Sequence, residues 1–241
     1  MALTELFGLP LDGKRTIVVA ELGIQHAHYQ PEQRLARAMA LIDRAARIGV
    51  DAAKFQLFLP DEPLFCPLPG DENRWPRWNQ SLMRSDEWGK LCDHAFSSDI
   101  PLFFSVFQHG GAELARTLNP PAWKVASRAA ENFPYHLTPG PWIVSDGFGH
   151  AARAPIDAIR LQCCPVYPSP LGQSWWRGNS DGISDHSGTP WPAIAAIIAG
   201  AKLVELHLRH APGPDFAASL NPAGFRLVLK CRDEIAALRA R

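Results

Sequence analysis

Short runs of apolar and β-branched residues recur along the chain at 17–23, 51–57, 101–107, 122–127, 142–146, 158–164, 182–187 and 202–208. Several are nearly continuous rather than alternating, the pattern of strands buried on both faces of a parallel sheet. Helical periodicity fills several of the gaps. In 31–49, Leu35, Met39, Ile42 and Ala46 form one apolar stripe, Pro31 suits the first turn and Gly49 the end. Segments 86–98, 111–118, 191–200 and 223–239 read as further helices. Repeated strand–helix alternation predicts an α/β fold, a (β/α)8 TIM barrel.

The pattern thins on one side. Segment 149–155 is short for a barrel helix, and 167–181, rich in Pro, Gly, Ser and Trp, carries no helical stripe. Reduced helices are therefore expected after the fifth and sixth strands. Much of the proline lies in 60–76, 120–141 and 165–170, which read as loops. Two tryptophan-rich stretches, 75–78 and 175–176, read as exposed, with Trp175 and Trp176 covering the thin side. No domain boundary and no repeat interrupts the pattern, so a single domain over 1–241 is expected.

Composition narrows the partners. The 241 residues are 46% hydrophobic and 20% charged, with zero formal net charge. A substantial core is available, and the basic excess of a nucleic-acid or membrane-surface binder is missing. The five cysteines are odd in number and contain no CxxC pair, which suits reduced thiols in the cytoplasm. The N-terminus has no basic-then-apolar signal, and the apolar stretch 193–201 is too short to span a bilayer.

In a barrel of this kind chemistry sits at the C-terminal ends of the strands. Those ends carry Glu21, Lys54 and Gln56, Ser105, Lys124 and Ser127, Ser145, Tyr167, Ser184 and His186, and Glu205 and His207. Lys54 and Lys124 lie in strongly apolar sequence, where an unpaired ammonium is costly. They call for internal partners, Glu21 and Asp146, or for an anionic ligand. With Ser127, Ser145 and Ser184 near, a phosphate fits better than a Schiff-base lysine. His186 and His207 are separated by about one helix and its loops, so consecutive strand ends bring them together. Two imidazoles suit Mn²⁺, Fe²⁺, Co²⁺ or Zn²⁺. His26 and His28 give a weaker HxH signal, and His94, His109, His136 and His150 read as structural.

The phrases VVAELGIQH, GVDAAKFQLF, WKVAS, CCPVYPSP, GISDHS, GAKLVELHL and GPDFAASLNP follow one another in this order. Together they resemble the N-acetylneuraminate (sialic acid) synthase family over about 16–222. The resemblance implies a barrel enzyme that condenses phosphoenolpyruvate with an N-acylated amino-sugar aldehyde, forming a nonulosonic acid and releasing phosphate. Residue by residue, it makes His186 and His207 ligands of a divalent metal, usually Mn²⁺. Lys54, Lys124, Ser127, Ser145 and Ser184 match groups that hold phosphoenolpyruvate, and Gln56, Ser105 and Tyr167 complete the substrate-binding set. Glu21, Glu205 and Asp215 match active-site carboxylates.

The chain departs from the family pattern at Gln25–His28, at Val106, at Asp146, at Leu206 and at Phe216. Asp146 would put a carboxylate near the phosphate site. These changes also admit a smaller aldehyde, or a ligand-binding barrel without catalysis. Family members usually carry a C-terminal antifreeze-like domain, whereas this chain ends at Arg241. The sugar site is then expected to be open, differently capped, or completed by a homodimer partner or a separate capping protein.

Overall fold

The computed structural model describes residues 3–209 and 215–240. Eight parallel strands close into a barrel: β1 (Ile17–Gly23), β2 (Ala52–Leu57), β3 (Leu102–Val106), β4 (Trp123–Val125), β5 (Trp142–Asp146), β6 (Ile159–Cys163), β7 (Gly182–Asp185) and β8 (Leu203–His207). β8 pairs with β1 to complete the ring. Each of the eight apolar runs becomes one strand, because a strand covered inside and outside needs apolar residues on both faces.

Strand alternation then sorts the side chains. One set, including Val18, Ala20, Leu22, Phe55, Phe104 and Val204, faces outward into the layer beneath the helices. The other set, Ile17, Val19, Ala52, Phe103, Ile143, Leu161 and Leu203, fills the barrel interior. A short hairpin, Glu5–Leu6 with Leu9–Pro10, was not anticipated from the sequence. Its Leu6, with Leu11 just after it, joins the interior cluster, and Phe7 packs on Phe103 at 5.2 Å. The hairpin thus plugs the N-terminal mouth and leaves the C-terminal mouth for chemistry.

The helices are α1 (Pro31–Ile48), α2 (Trp75–Gln80), α3 (Ser85–Ser97), α4 (His109–Thr117), α5 (Leu171–Ser174), α6 (Trp191–Ala199) and α7 (Pro222–Arg239). Pro31 opens α1, and Gly49 ends it at φ 89°, a left-handed position that glycine takes without a Cβ clash. After β5 there is only the 3₁₀ turn Ala151–Arg153, and after β6 only the single turn of α5, as the thin pattern implies. The thinning reaches further, since β4 is also followed only by 3₁₀ turns, Ser127–Ala129 and Tyr135–Leu137. The prolines of 120–141 account for that.

Two expectations about tryptophan need correction. The segment around Trp75 is not simply exposed loop, for it forms α2, and Trp78 is buried against Phe58 at 5.0 Å. Trp176 packs on the core of the thin side, but Trp175 stays 58% exposed. Among the described residues no helix is long and apolar enough to cross a membrane.

Candidate active site

Following the interior faces upward explains the site. The positions that continue the interior set one step toward the C-terminal ends change from apolar to polar. Ile17 and Val19 lead to Glu21, Ala52 to Lys54 and Gln56, Phe103 to Ser105, and Ala122 to Lys124. Ile143 leads to Ser145, Gly182 to Ser184, and Leu203 to Glu205 and His207. Neighbouring strands hold these residues in register, Glu21 beside Lys54, Gln56 beside Ser105, Ser105 beside Lys124, and Ser184 beside Glu205.

They line one cavity of about 260 Å³ together with Ser127, Tyr167, His186 and Asp215. Every site residue proposed from the sequence therefore meets in one place. Glu21, Gln56 and Asp215 all reach the neighbourhood of Gly23, whose φ of 58° is a left-handed position that glycine takes without strain. Residues 210–214, the last two of which open the GPDFAASLNP phrase, and the side chain of His28 lie outside the described residues. His26 turns away from the cavity. Its Nε2 lies 2.9 Å from the Ser81 carbonyl oxygen, and its ring packs between Phe55 and Trp88.

The floor is a buried charge network. Lys54 is 3% exposed, Lys124 2%, Glu21 1% and Glu205 3%. The Lys54 ammonium pairs with Glu21, lies 3.3 Å from Glu205 and donates to Ser105 Oγ at 2.9 Å. Lys124 donates to Ser145 Oγ at 2.7 Å and stands 3.5 Å from Glu205. The internal pairing weighed for Lys54 is thus real, but Asp146 is not the partner of Lys124. Asp146 follows Ser145 on β5 and therefore falls on the opposite face, outside the cavity lining. The expected clash between its carboxylate and a bound phosphate does not arise.

Burial and neighbours set the protonation states. Burial pushes the Glu21 carboxyl up, more than the adjacent Lys54 lowers it. Burial also acts on Glu205, but Lys124, Lys54 and the Ser184 hydroxyl, donating at 2.8 Å, hold it well below the usual carboxylate range. Lys54 is desolvated too, yet Glu205 and Glu21 raise it above an ordinary lysine. Lys124, with desolvation less fully offset by Glu205, falls below one. Glu205 is thus the firmly ionised carboxylate and Lys54 the firmly charged ammonium.

The histidines sit beside this floor, their ring centroids 5.3 Å apart. His186 Nδ1 lies 2.8 Å from the Cys164 carbonyl oxygen and so carries the proton, which leaves a lone pair on Nε2. The Tyr167 hydroxyl donates to that Nε2 at 2.8 Å, with the two rings stacked at 4.0 Å. Burial, with His207 adding to it, lowers the His186 pKa to about 3, so the ring stays neutral. Among the described residues His207 Nδ1 is buried without a partner. Cys163 lies 3.8 Å from His186, but burial pushes its thiol up to about 12, which removes it as a nucleophile.

Sequence reading missed part of the lining. Arg74, Arg77, Trp78, Arg128 and Phe148 also border the cavity. They come from connecting segments rather than strand ends. The Arg74/Arg77 and Trp75/Trp78 spacings of three, which straddle the end of the stretch 60–76 taken for a loop, were the signal available.

A barrel with its ionisable groups gathered at the C-terminal mouth has the layout of a barrel enzyme. The sequence pattern of the NeuB family matches residues 41–240, and the chain belongs to that family. It is 30% identical over 241 residues to the spore coat polysaccharide biosynthesis protein SpsE of Bacillus subtilis, covering 85% of this chain and 63% of that protein. It is 27% identical over 228 residues to the pseudaminic acid synthase of Campylobacter jejuni, covering 80% of this chain and 65% of that one. The chain thus spans a little under two thirds of the length of these relatives. The fold matches the N-acetylneuraminic acid synthetase of Leptospira borgpetersenii with a TM-score of 0.73 at 18% identity, over 95% of this chain and 86% of that one.

Proposed function

We propose that this barrel condenses phosphoenolpyruvate with an amino-sugar aldehyde to give a nonulosonic acid, with release of phosphate. Membership of the NeuB family supports the reaction class. The observation that carries the reading is the single buried layer in which two ammoniums, two carboxylates and three serine hydroxyls face one cavity beside two imidazoles. Phosphoenolpyruvate plus aldose plus water gives the new acid plus phosphate. The new bond joins C3 of the enol to the aldehyde carbon, and the phosphate departs after water adds at C2.

The residues present fit a divalent metal. The His186 Nε2 lone pair, which accepts from the Tyr167 hydroxyl at 2.8 Å, would turn to the metal once that hydroxyl moves aside, and among the described residues His207 Nδ1 is buried without a partner. Two imidazoles form a donor set suited to Mn²⁺, with water and substrate oxygens filling the remaining positions. Such an ion supplies Lewis acidity to the aldehyde oxygen. No group of three His, Cys, Asp or Glu side chains is poised for a metal among the described residues, so His186 and His207 are the proposed protein ligands.

The chain's own groups do the rest. Lys124, with Ser145 and Ser127 near it, holds the phosphate, and Lys54 with Ser105 orients the enol so that C3 faces the aldehyde. Attack leaves positive charge at C2, which the ionised Glu205 offsets without reorganisation. Glu21, raised by burial, can carry the proton at its carboxyl, and Asp215 at the rim can exchange one with the incoming water.

The test is phosphate release from phosphoenolpyruvate with Mn²⁺ and a panel of N-acylated aldoses. Release that requires both metal and aldose is expected. A folded, metal-loaded protein that turns over none of the panel would sink the reading.

A further inference from the structure

The loop that follows β6 touches His186 at three points. The Cys164 carbonyl oxygen accepts from Nδ1–H at 2.8 Å, the Ser169 N–H donates to the His186 carbonyl oxygen at 2.9 Å, and the Tyr167 hydroxyl donates to Nε2 at 2.8 Å. The first two use the loop backbone and tie it to the end of β7. The third is made by a side chain, which can turn about its own Cα–Cβ bond while the backbone stays in place. Tyr167 is 48% exposed, whereas His186 under its stacked ring is 5% exposed.

Nε2 is the ring nitrogen of His186 that keeps a lone pair, because Nδ1 carries the proton. Ser184 Oγ lies 3.5 Å from it but donates its proton to Glu205 at 2.8 Å. Among the described residues Tyr167 is therefore the donor that holds this lone pair. Its ring also meets His207 edge-on, the centroids 5.7 Å apart, and the two imidazole centroids are 5.3 Å apart. The phenol thus stands at the corner that the two histidines share. One lone pair serves a proton donor or a metal ion, not both at once.

We infer that Tyr167 is the gate of the metal site: its hydroxyl and a divalent ion compete for His186 Nε2, so that binding the ion and releasing the tyrosine side chain are one exchange. This rests on the reading of His186 and His207 as the metal ligands. The exchange breaks one O–H···N hydrogen bond and forms one nitrogen–metal bond, and the phenol keeps its proton. The released hydroxyl turns to water, since nearly half of the residue already faces solvent. Metal affinity is thereby reduced by the strength of one hydrogen bond, and the tyrosine holds the His186 ring in its ligand orientation until an ion replaces it.

The test titrates Mn²⁺ into the native protein and into Tyr167→Phe by calorimetry. The variant keeps the ring that stacks on His186 and deletes only the hydroxyl, so it is expected to bind Mn²⁺ about three- to tenfold more tightly. Equal affinity overturns the inference, and so does weaker binding, which would make the hydroxyl a ligand rather than a competitor. A second readout follows the side chain itself. The chain has three tyrosines, Tyr29, Tyr135 and Tyr167, so carbon-13 labelling of the rings gives three phenol signals, and the one missing from the variant belongs to Tyr167. That signal is expected to shift on saturation with diamagnetic Zn²⁺ while the other two stay in place. A Tyr167 signal that does not move overturns the exchange. A native protein that binds neither ion contradicts the metal reading and the gate with it, whereas binding that ignores Tyr167→Phe contradicts the gate alone.

Discussion

Lys54 and Lys124 look alike in sequence but carry different loads. Lys54 sits between two buried carboxylates, whereas Lys124 faces one of them at 3.5 Å and rests mainly on Ser145. Removing the ammonium in Lys54→Met leaves Glu21 and Glu205 poorly compensated, and a stability loss of about 3–5 kcal/mol is expected in denaturant melts. Lys124→Met should cost clearly less, because its buried charge is less well paired in the native protein. Phosphate release should nonetheless fall by about a hundredfold or more in Lys124→Met, since a preorganised cation at the transferred charge is lost. Equal stability losses in the two variants would contradict this account of the network.

Asp71 offers a pH test away from the floor. Burial pushes its carboxyl up, but hydrogen bonds from Arg128 and from the Leu68 backbone N–H more than offset that and hold it below the ordinary range. The folded value lies below the unfolded one, so the stabilisation is complete above about pH 4 and is lost as the pH falls through the folded value. Arg128→Met should flatten this acid loss in melts taken from pH 5 downward. An unchanged slope would show that the pair contributes nothing to acid sensitivity.

At the scale of elements, strands were more legible than connections. An interior strand must be apolar on both faces, and that requirement writes itself into the sequence as a continuous run. Interior polar residues stand out against such a run, which is why Lys54, Lys124 and Glu205 were visible as site residues. The short helix α2 was not visible, because six residues placed among prolines and glycines give too little periodicity. Arg74 and Arg77 were lost with it. The hairpin before β1 was hidden for a similar reason, each of its strands being two residues long.

The barrel's closure at β7–β8 depends on one missing side chain. A Cβ on Gly182 would lie 1.7 Å from the Leu203 carbonyl oxygen. Gly182→Ala must therefore push apart the two strands that carry Ser184, His186, Glu205 and His207, and a loss of about 3 kcal/mol or more is expected in thermal unfolding. A Cβ on Gly172 of α5 would meet nothing within 4 Å, so Gly172→Ala should stay within about 0.5 kcal/mol of the native protein. A tolerated Gly182→Ala would mean that the strand spacing is slacker than described.

At the scale of the whole molecule, one rule of strand geometry joins fold to function. The hairpin seals one mouth, the interior below the site is apolar, and the alternation that fills it places charges at the open mouth. The same rule settles the departure at Asp146, which looked unfavourable in sequence and is harmless in space because neighbours on a strand face opposite ways. The pairing of His186 with Tyr167 and Cys164 lay beyond sequence reading, since those contacts arise from loop paths that no periodicity encodes.

The central claim is that this mouth makes a carbon–carbon bond rather than merely binding or hydrolysing phosphoenolpyruvate. Carbon-13 NMR of phosphoenolpyruvate labelled at C3, incubated with Mn²⁺ and an N-acylated aldose, tests it most directly. The account predicts that the vinyl signal gives way to a methylene coupled to the former aldehyde carbon, in step with phosphate release, and that Lys124→Met abolishes the change. Labelled pyruvate as the sole product, or a vinyl signal that persists in the folded, metal-loaded protein, would contradict it.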